Sequence, residues 1–140
     1  MSKTLNPIVL AMNFEPSNEA AKTGKRKFTK GNAEATIREI QKTDNDTVAK
    51  VIRKTLEDIG MPKVGTAYAD KSLDTMYETY QAERSKYYVL EMGGKVVGGG
   101  GIAPLDNFEG NVCELQKMYF LPEARGTGLG YEMLKICLET

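Results

Sequence analysis

The sequence contains no histidine, only two cysteines in 140 residues, and no surplus of charge, with 19 Lys and Arg against 19 Asp and Glu. Without histidine there is no Ser-His-Asp or Cys-His nucleophile system, no His-ligated zinc and no H-E-x-x-H protease site. Two thiols cannot form a four-cysteine zinc site, so no metal is expected. Cys113 and Cys137 sit in apolar runs and read as small buried thiols in a reducing compartment. The even charge balance argues against a dedicated nucleic-acid binder, which needs an excess of cations. Long hydrophobic runs are missing as well. The apolar run near the start, residues 7–12, is too short for a signal-peptide core or a bilayer span, and Glu15 and Glu19 do not suit a transit peptide. A cytoplasmic protein with no membrane partner is expected. Any proton transfer falls to Glu, Asp, Lys, Tyr or water.

What is present suits one domain of ordinary size, which buries roughly two thirds of the surface its unfolded chain exposes. Residues 1–34 carry six Lys and Arg against three acids and show no sustained periodicity, so they read as a flexible basic arm. The cluster Lys25-Arg26-Lys27 within it also fits an address or phosphate patch. Residues 35–140 carry the opposite imbalance, 13 basic against 16 acidic groups, and read as the folded domain. Residues 36–40 alternate as a half-buried strand does. Several N-cap residues follow at 43–46, then Val48, Val51, Ile52, Leu56 and Ile59 at helical spacing, with Gly60 and Pro62 as the stop. Leu73, Met76, Tyr77 and Tyr80 mark a second, shorter helix. Residues 87–97 form a hairpin around Gly93-Gly94. The run Gly98-Gly99-Gly100-Gly101 weakens a strand unless something packs closely on its backbone or a bulge interrupts it. A further strand covers 112–120, and a last helix places Leu129, Met133, Ile136 and Cys137 on one side.

Chemistry concentrates between that strand and that helix, in Cys113-Glu114-Leu115-Gln116-Lys117-Met118-Tyr119-Phe120-Leu121-Pro122-Glu123-Ala124-Arg125-Gly126-Thr127-Gly128-Leu129-Gly130. A glycine loop that opens a helix presents unpaired N–H groups at the positive end of the helix dipole, a seat for phosphate or pyrophosphate, and Arg125 adds charge. Taken alone, Arg-x-x-Gly-x-Gly also fits a helix that merely begins on a tight turn. A Rossmann loop does not fit, because only ten residues follow Gly130 where that fold needs an acidic residue about 20 positions on.

With the element order β-α-α-β-β-β-α, the stretch "ELQKMYFLPEARGTGLG" resembles the GNAT superfamily of acyl-CoA-dependent N-acyltransferases, whose Gln/Arg-x-x-Gly-x-Gly/Ala signature corresponds to Arg125, Gly128 and Gly130. The resemblance covers about residues 35–140. It implies an α+β, three-layer fold with a mixed, mostly antiparallel central sheet flanked by helices. It also implies that the N–H groups of Arg125, Gly126, Thr127, Gly128, Gly130 and Tyr131 hold the pyrophosphate of acetyl-CoA, while the backbone of Met118 and Phe120 pairs with the pantetheine arm. A backbone N–H near Met118 is then the oxyanion donor. Glu114 looks like the glutamate that serves as base in several members, though a strand carboxylate that meets solvent or pairs with Lys117 or Arg125 fits the same position. Tyr68 is the candidate for contact with the acceptor amine, a small molecule or a peptide amine. Tyr77, Tyr80, Tyr87 and Tyr88 fit core packing or the lining of the acceptor pocket, with packing preferred, and Tyr119 reads as packing. The family's fold continues beyond a helix of this kind with a fifth strand, a further helix and a hairpin, so the chain is expected to lack C-terminal strands. That would expose an apolar sheet edge to dimerisation or strand exchange. Two functions remain in view: an acetyl-CoA-dependent N-acetyltransferase, and a non-catalytic acyl-CoA-binding or interaction module.

Overall fold

The computed structural model describes residues 15–16, 25–30, 33–60, 69–105 and 112–140. The strands are β1 (Glu15–Pro16), β2 (Arg26–Lys30), β3 (Ala33–Glu39), β4 (Lys86–Met92), β5 (Lys95–Pro104) and β6 (Cys113–Phe120). They form one sheet in sequence order, with every pairing antiparallel. The helices are α1 (Asn45–Asp58), the single turn α2 (Met76–Thr79) and α3 (Leu129–Glu139). From β3 onward the order matches the sequence reading.

The sheet begins earlier than the sequence pattern places it. Part of the stretch read as a flexible arm is strand β2, which pairs with β3 and buries Phe28 to 2 % exposure opposite Ala35. One inward aromatic among Arg, Lys and Thr holds this strand, and a single apolar residue leaves no period to detect.

The side chains of α1 pack as their spacing demands: Val48, Val51, Ile52 and Leu56 are buried. Ile59 is not, at 65 % exposure, because the helix ends at Asp58 and the chain turns through Gly60 at φ +79°. A 3₁₀ turn, Lys71–Thr75, runs into α2, so the Leu73–Tyr80 stripe is real but not one continuous helix. Leu73, Met76 and Tyr80 are buried all the same. Gly93 and Gly94 both take left-handed backbone angles, as a two-residue hairpin turn requires. Cys137 is buried and its thiol pKa is pushed up to about 11 by burial, whereas Cys113 is only partly covered, contrary to the sequence reading.

Asp44 is the N-cap residue of α1 but does not cap it with its side chain. Its carboxylate instead takes a two-point grip from Arg38, at 2.8 and 2.9 Å, and accepts the Gln41 N–H at 2.7 Å. Arg38 also donates to Glu91 at 2.9 Å, so one guanidinium joins β3, β4 and the start of α1 at 8 % exposure. The charged positions of β3 are therefore not all solvent-facing.

The three layers meet at β5. α1 and α2 lie on one face of the sheet and α3 on the other. On the α2 face, a methyl group placed on Gly99 would lie 2.7 Å from the Tyr87 ring, and one on Gly101 would lie 2.6 Å from it. On the α3 face, Gly98 meets the Phe120 ring, and Gly100 meets Met118 and Met133. The four glycines are needed because both faces of this strand are filled by its neighbours' large side chains.

Candidate functional site

β6 carries the site, and its register is broken once. Gly99 pairs with Tyr119 and Gly101 with Gln116, so Gly100 alone stands opposite both Lys117 and Met118. This is a β-bulge, with Lys117 at φ +48°. The extra residue changes which side chains share a face. Without it, Glu114, Gln116, Met118 and Phe120 would all point the same way. With it, Glu114, Gln116 and Tyr119 lie on the α2 face, across from Ala103, Gly101 and Gly99, while Met118 and Phe120 lie on the α3 face against Gly100 and Gly98. The opposite facing of Tyr119 agrees with the sequence reading. The separation of Glu114 from Met118 by the plane of the sheet was not legible.

β6 is also the last strand of the described sheet, so its outer edge has no strand partner among the described residues. An extended chain laid along it gains ladder hydrogen bonds with residues 118–120. Val112 and Leu115, at and beside the start of this strand, are 42 % and 43 % exposed.

On the α2 face, three polar side chains form a line. The Tyr80 hydroxyl donates to Gln116 Oε1 at 2.7 Å, and Gln116 Nε2 donates to Glu114 Oε1 at 2.8 Å. Burial, with a smaller contribution from the Glu114 charge, pushes the Tyr80 pKa up to about 12, so its hydroxyl stays a donor throughout the neutral range. Among the described residues, Glu114 is partnered by Gln116 rather than by Lys117 or Arg125. Gln116 and Tyr80 were not singled out for a polar role from the sequence. A polar side chain two residues from a carboxylate on one strand face is the signal that was available.

The loop after β6 is shaped by glycine. A 3₁₀ turn, Pro122–Ala124, follows Leu121, and Gly126 and Gly128 then take φ +74° and +83°. Thr127 Oγ1 donates to the Ala124 carbonyl at 2.6 Å and accepts the Leu129 N–H at 3.3 Å. The first intrahelical bond of α3 runs from Glu132 N to the Gly128 carbonyl at 3.2 Å. Between these two anchors the N–H groups of Gly130 and Tyr131 lie in the first turn with no helical acceptor. A methyl group placed on Gly126 would meet nothing within 4 Å, so the loop backbone is open to a ligand. Arg125 holds the Phe120 carbonyl through Nε at 3.1 Å, which fixes its guanidinium beside the loop. Tyr131 is exposed, with Lys135 Nζ 5.5 Å from its ring centre. Arg125, Gly126, Thr127, Gly128, Gly130 and Tyr131 thus form one anion-receptive turn, adjoining the free edge at Met118 and Phe120. These residues fit a pyrophosphate followed by an extended arm. Tyr68 lies outside the described residues. Among the described residues, no cluster of three or more acids and cysteines is placed to hold a metal ion, and no helix is long and apolar enough to cross a membrane.

Comparison with known proteins gives this arrangement a family. Residues 53–140 match the model of the acetyltransferase (GNAT) family. Over 104 residues the chain is 43 % identical to the uncharacterised N-acetyltransferase YjgM of Escherichia coli K12, covering 74 % of this chain and 62 % of that relative. The chain thus spans less than two thirds of that relative's length. Among solved structures, a GNAT acetyltransferase from Staphylococcus aureus Mu50 superposes with a TM-score of 0.64 at 18 % identity, covering 75 % of this chain and 64 % of the other. A GNAT acetyltransferase from Brucella melitensis in complex with acetyl-CoA gives 0.59 at 18 % identity, covering 75 % and 66 %. The chain belongs to the acetyltransferase (GNAT) family.

Proposed function

We propose that this protein is an N-acetyltransferase that moves an acetyl group from acetyl-CoA to a primary amine within a ternary complex. The observation that carries the reading is the continuity of two binding features. An anion seat at residues 125–131 runs directly into the unpaired edge of β6 at Met118 and Phe120, and the bulge at Lys117 stands just beyond. The pyrophosphate sits on the loop, the pantetheine adds to the edge as a strand, and the thioester arrives at the bulge. The acetyl-CoA complex of the Brucella relative supports the same choice of ligand.

The reaction follows from the groups in reach. A lysine-like amine is protonated at neutral pH, so a proton must leave before nitrogen can attack. Glu114 accepts that proton. It lies four residues from Met118, about 13 Å along a strand, so a chain of waters rather than direct contact carries the proton between amine and carboxylate. The nitrogen then bonds to the thioester carbonyl carbon, and the developing oxyanion is held by the Met118 N–H. Collapse breaks the C–S bond, the nitrogen gives up its second proton to solvent as the amide forms, and the CoA thiolate leaves and takes up a proton from solvent. Tyr80 and Gln116 hold one oxygen of Glu114, which leaves the other to face the water.

Release of CoA thiol from acetyl-CoA, followed with a panel of small amines, amino acids, aminoglycosides and peptide N-termini, tests the reading. Amine-dependent thiol release is expected with at least one class. Saturable acetyl-CoA binding with no release for any acceptor supports the non-catalytic acyl-CoA-binding module instead.

A further inference from the structure

Tyr87 lies on β4, two strands away from the bulge, yet it reaches it. The ring is 2 % exposed and passes over β5 at Gly99 and Gly101, where any side chain would collide with it. Its hydroxyl donates to the Lys117 carbonyl at 2.8 Å. Lys117 is the residue that makes the bulge, in a left-handed conformation that costs a non-glycine residue energy and persists only when its surroundings enforce it. The other face of the bulge is held by Met118, packed over Gly100 and Met133.

We propose that Tyr87 is a positioning residue for acyl transfer: its hydroxyl, carried across the side-chain-free strand β5, fixes the Lys117 carbonyl and so holds the β6 bulge that aims the Met118 N–H. This rests on the acetyltransferase reading for its catalytic consequence. The contact of tyrosine with bulge is a structural claim that stands apart from it. The two glycines have their use here, since a methyl group at either position would lift the ring away from β6. Most of the ground-state grip on CoA comes from the loop at residues 125–131 and from Phe120, while the bond from the Met118 N–H strengthens as charge develops on the thioester oxygen. Loss of the clamp therefore lowers kcat and leaves KM for acetyl-CoA in place.

The test compares wild type, Tyr87→Phe and Tyr87→Phe/Lys117→Gly. The phenylalanine ring fills the same space, and glycine at 117 adopts the left-handed angle without help. Amide hydrogen exchange at residues 116–119 is expected to rise about tenfold in Tyr87→Phe, the scale of one buried hydrogen bond, with β3 and the remainder of β4 unchanged. With an acceptor found in the amine panel, kcat falls about tenfold while KM for acetyl-CoA stays within twofold, and the double variant regains most of that loss. A loss spread through the whole sheet without rescue by glycine assigns Tyr87 to core packing and overturns the proposal. So does unchanged exchange at the bulge. Should Tyr87→Phe not fold, wild type decides by NMR. A slowly exchanging Tyr87 hydroxyl proton with a cross-peak to the Lys117–Met118 backbone supports the clamp, and its absence overturns it. Calorimetric titration of CoA is read alongside: wild type that does not bind CoA removes the acetyltransferase reading, while the exchange and NMR results still judge the clamp.

Discussion

Glu114 stands on an exposed stretch of strand, and what distinguishes it from any other surface carboxylate is the line of side chains behind it. Tyr80 fixes the amide of Gln116, and Gln116 fixes one carboxylate oxygen. Replacing Glu114 with Gln keeps the shape and removes the basicity. The rate is expected to fall on the order of 100-fold near pH 7. The deficit should shrink as pH rises toward the amine pKa of about 10.4, where the acceptor sheds its own proton. A pH–rate profile of the variant that parallels wild type removes Glu114 from the role of base. At this scale the sequence was legible where glycine carries the geometry. Gly126 and Gly128 occupy left-handed angles that favour glycine, so the loop leaves a signature in the sequence. The bulge leaves none. Its left-handed residue is Lys117, and the hydroxyl that supports it comes from Tyr87, 30 positions earlier. For the same reason Tyr80 and Tyr87 read as packing, which both also do, with ring centres 5.1 Å apart.

Among the elements, β5 decides how closely the layers approach. Its glycines are not equivalent. At Gly98 a new methyl group meets the Phe120 ring and the Tyr119 carbonyl, 2.8 Å away, and backbone cannot step aside. At Gly100 the first obstacle, at 2.8 Å, is Met118 Cε, the free end of a flexible side chain. Gly98→Ala should therefore cost about 2–3 kcal/mol and Gly100→Ala about 1 kcal/mol or less, measured by urea unfolding. Equal losses, or the reverse order, would show that the packing of β6 on β5 is not as described. The run of glycines was readable as close approach or bulge, and both occur. Which neighbour fills which face depended on strand order and register, which no local pattern carries. β2 was missed for a related reason: its place rests on backbone pairing with β3 and on Phe28, not on a period of its own.

At the scale of the whole molecule, Arg38, Asp44 and Glu91 join the sheet to the first helix. Burial by itself raises the Asp44 pKa, but the hydrogen bonds from Arg38 and Gln41 and the Arg38 charge outweigh it and hold the carboxyl below its ordinary value. The folded pKa thus lies below the unfolded one, near 3.9. The pair stabilises fully above that pH, and its contribution is lost as pH falls through the folded value. Asp44→Ala is expected to lose about 3 kcal/mol at pH 7, because it strips a buried guanidinium of its two-point partner. The gap between variant and wild type should narrow below about pH 4. A gap that stays constant down to pH 2 would mean that the loss is one of packing rather than charge. The alternating strand pattern suggested an exposed Arg38, and the candidate N-cap run suggested a helix cap in Asp44. The structure brings the two together because α1 begins directly over β3.

The proposed ligand site belongs to this scale as well. The loop at residues 125–131 and the open edge of β6 adjoin, and together they make the case for acetyl-CoA. Gly126→Asp puts a negative charge where phosphate is meant to sit. The position is open, and aspartate tolerates the left-handed angle better than most residues, so the fold should survive. The most direct measurement is calorimetric titration of acetyl-CoA into the wild-type chain and into Gly126→Asp. One-to-one binding weakened at least tenfold by the substitution is the expected result. No binding to wild type, or equal affinity in the two proteins, would contradict the site.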